Sequence, residues 1–242
     1  MRKGIVAIVL VVVSILLNPI VFAQSSNAYG LKILTSLEEY RQTVALDSNK
    51  RFVKITDYLP NVVLDIKYAG TENVFYTQLY PRPIAVTRLP VAKALAEVQK
   101  ELNQQNLGLK IYDGYRPYSI TVKMFEIIPD TVYMGLPWQG SKHNRGIAID
   151  LTLVDMTTGR ELKMPTPFDA LVYASHPEFM KLPEEAIKNR ELLKETMKKY
   201  GFTVDPVEWW HYNYVDQQVY ELMDISINEM EEALISDSSL KN

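Results

Sequence analysis

The chain has no cysteine, and only three histidines among its 242 residues. The first absence removes disulfides, lipid attachment through a lipobox cysteine, and the closed, cysteine-rich coordination of structural zinc. Charge of either sign is not in excess. The formal net charge of −3 offers no electrostatic footprint for nucleic acid or an anionic membrane. Internal repeats and low-complexity segments are also missing. A long apolar run does occur at residues 5–17, behind Arg2 and Lys3. With the breaker Asn18-Pro19 and Val21-Phe22-Ala23 ahead of Gln24, residues 1–23 read as a secretory signal peptide cut after Ala23. The rival reading is an uncleaved membrane anchor, because residues 20–22 extend the apolar stretch toward spanning length. The expected location is therefore exported, periplasmic or extracellular. About 220 mature residues of ordinary globular composition suffice for one sizeable domain or two small ones.

Two of the three histidines stand in short runs with carboxylates: Ser141-Lys142-His143-Asn144-Arg145-Gly146-Ile147-Ala148-Ile149-Asp150, and Glu208-Trp209-Trp210-His211. In a chain without cysteine this is the donor set of a catalytic zinc, which takes three ligands of the His, Asp or Glu type and keeps a fourth position for water. His143, Asp150 and His211 supply two neutral imidazoles and one carboxylate. Glu208, three residues before a ligand, is then left to act as a general base. Residues 143 and 150 would point to opposite faces of a continuous strand, so the chain must turn between them, and Arg145-Gly146 offers the turn. Residues 147–153 alternate and read as a buried strand with Asp150 at its start or middle. Taken singly, His143 could be a surface-loop residue, His211 a packed one beside two tryptophans, and Asp150 a turn residue. The metal reading rests on the three together.

Along the chain, residues 24–30 read as a polar, flexible lead, and Ser36-Leu37-Glu38-Glu39 has the form of a capping box opening a helix to about residue 47. Residues 52–55 and 62–68 read as strands broken by Pro60-Asn61. Residues 90–106 form an amphipathic helix with proline at its start. A strand at 108–112 and a helix at 119–128 follow. The loop 129–140, with Met134, Pro137 and Trp138, is a candidate cleft wall. Residues 183–200 read as a helix closed by Gly201, and 202–204 as a return strand. Val219, Leu222, Met223, Ile225, Ile227 and Met230 suggest a last helix. His176-Pro177 has no partner at a useful spacing and is taken as structural. The expected architecture is a single α+β domain over residues 51–215, a small central antiparallel sheet flanked by helices. A lead with a short helix (24–50) precedes it, and a helical extension with a tail (216–242) follows.

The run Tyr112-Asp113-Gly114-Tyr115-Arg116-Pro117, the S-x-H-x-x-G-x-A-x-D run and the E-W-W-H run occur in that order. Together they resemble the zinc D-Ala-D-Ala dipeptidases, the group that includes the vancomycin-resistance dipeptidase, with a D,D-peptidase and Hedgehog-like fold. The likeness covers residues 55–215 or so. It implies one zinc ion per chain held by His143, Asp150 and His211, Glu208 as base, and Arg116 stabilising the oxyanion. It also implies Asp169 and Tyr68 at the amino end of the substrate, Ser141 against the substrate backbone, and Tyr80 at the substrate carboxylate. Ordinary duties remain open for several of these: core packing for Tyr68, capping for Ser141, a turn for Asp169. The implied reaction is zinc-dependent hydrolysis of the small dipeptide D-Ala-D-Ala to two D-alanine in cell-wall peptide metabolism. A zinc D,D-carboxypeptidase or endopeptidase acting on peptidoglycan stem peptides is the alternative. A non-catalytic zinc module binding wall peptides would need neither Glu208 nor Arg116. No nucleic-acid partner and no stable membrane association after signal removal are expected, and the oligomeric state is left open.

Overall fold

The computed structural model describes residues 27–239. The expected signal peptide lies outside the described residues. In chain order the elements are β1 (Ile33–Leu34), α1 (Leu37–Leu46), β2 (Phe52–Lys54), β3 (Val63–Leu64), β4 (Val86–Arg88), α2 (Leu89–Asn103), β5 (Leu107–Asp113) and α3 (Tyr118–Ile127). They continue with β6 (Ala148–Asp155), α4 (Glu184–Lys199), β7 (Phe202–Val204), β8 (His211–Tyr214), β9 (Leu222–Met223) and α5 (Ile227–Ser239).

A five-stranded sheet in the order β3-β5-β6-β8-β7 forms the centre of this α+β fold. It is antiparallel except at one edge, where β3 runs parallel to β5. Strand β6 is buried along nearly its whole length. Ile149, Leu151 and Leu153, alternating along it, join the main apolar core with Leu95 and Val98 of α2 and with Leu193 and Met197 of α4. By the two-residue period of a strand, Asp150 then faces the other way. This division of faces places the chemistry on one side of a sheet whose other side is packed.

Local chemistry accounts for the helix ends. The Ser36 hydroxyl accepts from the amide of Glu39 while the Glu39 carboxylate reaches back to Thr35 and Ser36, so the expected capping box is formed. Helix α4 stops at Gly201, whose φ of 89° is left-handed.

Three expectations need correction. Residues 62–68 give only the two-residue β3, because the chain then closes a 3-10 turn, Lys67–Ala69, that drives Tyr68 inward. The last helix begins at Ile227, and Leu222–Met223 instead pair in parallel with β1. The polar lead is ordered from Asn27, whose carboxamide oxygen accepts the amides of Tyr29 and Leu31 and whose nitrogen donates to the Tyr118 hydroxyl. Tyr40 of α1 and Met223, Ile225 and Met230 near the C-terminus share the core of the central sheet. Among the described residues no helix is long and apolar enough to cross a membrane.

Candidate active site

The site is a row laid across three strands. His211 on β8 lies directly opposite Asp150 on β6, and Asp113 on β5 faces Asp150 from the other side. A register shift between Ile111 and Asp113 re-aims the end of β5, as bulges do next to functional sites. His143 enters from the 3-10 turn His143–Arg145, which ends at Gly146 with φ 71°. That is the turn required between residues 143 and 150. A Cβ at Gly146 would run into the Phe52 ring, so both the conformation and the space demand glycine.

His143 Nε2, His211 Nδ1 and the Asp150 carboxylate converge: the imidazole nitrogens are 3.2 Å apart, His143 Nε2 is 3.4 Å from Asp150 Oδ2, and His211 Nδ1 is 3.1 Å from Asp150 Oδ1. With ligand bonds of about 2.0–2.1 Å, corners of a tetrahedral zinc site lie about 3.3 Å apart. The two imidazole nitrogens stand at that separation, each ring meets one of the two Asp150 oxygens, and one ligand atom from each of the three residues lies within 4.8 Å of the others. The second nitrogen of each ring is already committed, His143 Nδ1 to the carbonyl of Gly114 at 2.7 Å and His211 Nε2 to Asn213 Oδ1 at 3.1 Å. Donation from those nitrogens leaves two lone pairs facing each other, with a carboxylate beside them. Asp150 Oδ1, though buried, accepts no hydrogen bond. The donor set therefore fits a divalent cation, and the three residues are a group able to hold one.

Burial works to raise the Asp150 carboxyl, but the two imidazoles overcome it and hold the group below the usual carboxylate range. Burial likewise opposes charge on His211, and the Asp150 carboxylate outweighs it, pushing the imidazole up to about 9. Without a cation, a proton takes its place.

Glu208 sits just outside the triangle, Oε2 3.7 Å from His211 Nδ1, and burial raises its carboxyl well above the ordinary value. Arg116 is buried and donates through Nε (3.0 Å) and Nη2 (2.8 Å) to Asp113 Oδ2. Asp113 also accepts from the Tyr80 hydroxyl at 2.8 Å and from the Gly114 amide. A cavity of about 310 Å³ collects Tyr68, Arg116, Ser141, Asp169 and Glu208 around the three converging residues. Tyr80 is not among its lining. Its hydroxyl donates to Asp113, which sets Tyr80 behind Arg116.

Asp169 occupies the left-handed region at φ 57° and accepts from the Tyr68 hydroxyl at 2.9 Å. Burial raises its carboxyl, with the charge of Asp150 adding to the effect, to about 7. Phe168, packed on Tyr112, Tyr68 and Trp210, anchors that loop. Ser141 both lines the cleft and accepts the His143 amide through its hydroxyl. Trp210 lines the cleft while Trp209 is buried, its indole N–H on Thr166. Of the loop 129–140, Met134 reaches the cleft; Trp138 packs instead on Phe125 and Tyr29.

Sequence reasoning gave no role to Asp113, Asn144 or Asn213. Asn144, fully buried, ties the metal turn to Arg116 by donating to its carbonyl and to Thr121. Asn213 could have been found, since a residue two after His211 on a strand shares its face. Asp113 stood in plain view inside the quoted motif.

A model of the D-Ala-D-Ala dipeptidase family matches residues 48–230. D-alanyl-D-alanine dipeptidases of Escherichia coli and Enterococcus faecalis are 31% and 30% identical over 178 and 188 residues, covering 74% and 69% of this chain and 92% of each relative. That of Enterococcus faecium is 28% identical over 186 residues, with 69% and 92% covered. A solved vancomycin-resistance D,D-dipeptidase in complex with a D-Ala-D-Ala phosphinate analogue aligns at TM-score 0.36 and 19% identity over 69% of this chain and 67% of that one, a likeness too slight to bear on the site. From the family match and the identity to these relatives, the chain belongs to the D-Ala-D-Ala dipeptidase family.

Proposed function

We propose that this metallopeptidase hydrolyses free D-Ala-D-Ala to two molecules of D-alanine with one zinc ion held by His143, Asp150 and His211. The observation that carries the reading is the convergence of His143, Asp150 and His211 within reach of one ion, with half-buried Glu208, its carboxyl raised well above the ordinary value, beside them. Zinc supplies a Lewis acid that polarises a carbonyl and acidifies water. Glu208 takes the proton of the attacking water and returns it to the leaving amine. Arg116, its guanidinium braced by Asp113 and Asp113 in turn by Tyr80, stabilises the negative charge that develops on the carbonyl oxygen.

Asp169 and the Tyr68 hydroxyl receive the substrate ammonium. An acylated peptide would leave that buried carboxylate unpaired, which favours a free dipeptide over a stem peptide. Ser141 lies against the substrate backbone. A basic start followed by an apolar run supports export, and an exported enzyme of this kind would recover dipeptide released by wall turnover. The test is release of D-alanine from D-Ala-D-Ala by the purified chain, abolished by a chelator and restored by zinc. Hydrolysis that survives stripping of the metal, or no hydrolysis at one zinc per chain, refutes the reading.

A further inference from the structure

Tyr133, in the loop after α3, lines the cleft, and His176, beyond the Asp169 loop, meets its hydroxyl from behind. Asp130 shapes the first side: its carboxylate accepts the amides of Val132 at 2.7 Å and Tyr133 at 3.1 Å, and its carbonyl accepts that of Met134. This turn presents Tyr133 to the cavity. The second side is fixed through Ser175, which is fully buried. Its carbonyl accepts the Trp209 amide at 3.0 Å, and its hydroxyl bonds the Ala170 carbonyl at 2.5 Å and Thr166 Oγ1 at 2.9 Å. His176 follows directly, held extended at φ −64°, ψ 132° by the proline after it. Its ring packs on Tyr173 at 4.5 Å between centroids and edge-on to Tyr133 at 6.0 Å. Its Nε2 is 3.1 Å from the Tyr133 hydroxyl. The bond is a crossbar. It joins the wall leading to Ser141 with the wall that carries Asp169 and, through Trp209, Glu208.

We propose that Tyr133, braced by His176, is a specificity-determining residue that restricts the side chain of the substrate's second, leaving residue to about the size of a methyl group. The inference rests on the dipeptidase reading. There, Asp169 and Tyr68 hold the amino end, while a base that hands its proton to the leaving amine must stand beside the leaving residue. Tyr133 shares the cavity with Glu208, and the Glu208 charge reaches the Tyr133 hydroxyl, adding to burial and Asp130 in raising it. The ring next to the base therefore faces the leaving residue. Bonded at its tip and packed along its edge, it cannot swing aside for a leucine or phenylalanine side chain without breaking the bond to His176.

The experiment compares kcat/KM for D-Ala-D-Ala, D-Ala-D-Leu and D-Ala-D-Phe in the wild type, Tyr133→Ala, Tyr133→Phe and His176→Asn, with zinc content and Tm measured on each. Tyr133→Ala should raise the D-Ala-D-Phe to D-Ala-D-Ala ratio at least tenfold by opening the wall. Tyr133→Phe and His176→Asn keep the ring but release it, and should raise the ratio about fivefold, the factor carried by one hydrogen bond. These two carry the test if Tyr133→Ala does not fold. Ratios that stay within twofold of wild type in zinc-loaded, folded variants overturn the inference, as does a parallel fall on all three dipeptides. A wild type that cleaves none of them overturns the dipeptidase reading and this inference with it. One that cleaves D-Ala-D-Ala while the ratios stay fixed overturns this inference alone.

Discussion

Replacing Glu208 by glutamine separates the two jobs a carboxylate could hold at this site. Glu208 Oε2 lies 3.7 Å from His211 Nδ1, while the three converging side chains stand 3.1–3.4 Å from one another. On the proposed reading, a carboxylate placed outside that triangle acts on a proton rather than on the ion. Glutamine keeps the volume and hydrogen-bonding capacity but cannot accept the proton. General-base catalysis is worth about 10²–10⁴ in rate, or about 3–5.5 kcal/mol of transition-state stabilisation at 1.36 kcal/mol per decade. The variant should therefore bind one zinc ion with unchanged affinity and lose kcat by about that factor, with KM little altered. Glu208→Asp, which retains the base but draws it back by one methylene, should fall between. Zinc content after dialysis, competition against a chromogenic chelator and D-alanine release under saturating dipeptide provide the three readouts. Zinc lost in step with activity would make Glu208 a ligand. Turnover within tenfold of wild type would deny it the proton transfer, and either result refutes the assignment.

Asn213→Ala removes the acceptor that fixes the His211 ring. Zinc affinity should fall about 10–100-fold, the usual cost of losing such a partner, and unchanged affinity in a metal competition titration would contradict the role. Asp169→Asn deletes the proposed anchor of the substrate ammonium. A hydrogen bond to a charged group is worth about 1.5–3 kcal/mol, so kcat/KM for D-Ala-D-Ala should drop about 10–150-fold. Activity on an N-acetylated analogue should not drop further; equal losses on both would rule out the anchor. In the metal-free protein His211 is pushed up to about 9 and Asp169 to about 7. Both hold their protons more tightly folded than unfolded, so the stability they contribute is present at low pH and is lost as pH rises. Metal-free Tm should decline from about pH 4, where the unfolded Asp169 carboxyl begins to ionise, to about pH 9, where folded His211 gives up its proton, and the stabilisation gained on adding zinc should widen over the upper part of that interval. A flat metal-free profile would show that neither group is perturbed.

The candidate metal-binding row could be read from the sequence because scarcity made it conspicuous. Without cysteine, and with two of three histidines each close to a carboxylate, few donor sets were possible. Gly146 advertised the turn that lets residues 143 and 150 share a target. The helices were legible where capping, periodicity and a closing glycine agreed, as in α1, α2 and α4. Residues 62–68 were not, since β-branched composition says nothing about a 3-10 turn that tertiary packing imposes to bury Tyr68. The same holds for residues 222–223. Their apolar spacing suited a helix, yet the edge of β1, far away in sequence, recruited them as a strand. Tyr80 illustrates a different blindness: its bond to the buried Asp113, 33 residues away, leaves no trace in the spacing of either residue. His176 lacked a partner at short spacing because its partner, Tyr133, is 43 residues away.

Four carboxylates, Asp113, Asp150, Asp169 and Glu208, are gathered beside one permanent buried cation, Arg116, and what distinguishes their work is how far each is satisfied. Asp113 accepts from Arg116, Tyr80 and Gly114 and is spoken for within the protein. Asp150 keeps one buried oxygen without a donor, 3.1 Å from His211 Nδ1, while its other oxygen faces His143. Asp169 has the single Tyr68 hydroxyl and rises to about 7. Glu208 is raised by burial further than its neighbour His211 can lower it. Unpaired buried charge of one sign is unfavourable in proportion to its burial, so the four carboxylates beside one arginine leave a deficit of positive charge that the protein's own side chains do not cancel. A divalent cation removes two units of it at Asp150, and a substrate ammonium removes a third at Asp169. On the proposed reading Glu208, whose carboxyl burial raises well above the ordinary value, is the group of the four with the strongest demand for a proton, and it takes one from the attacking water.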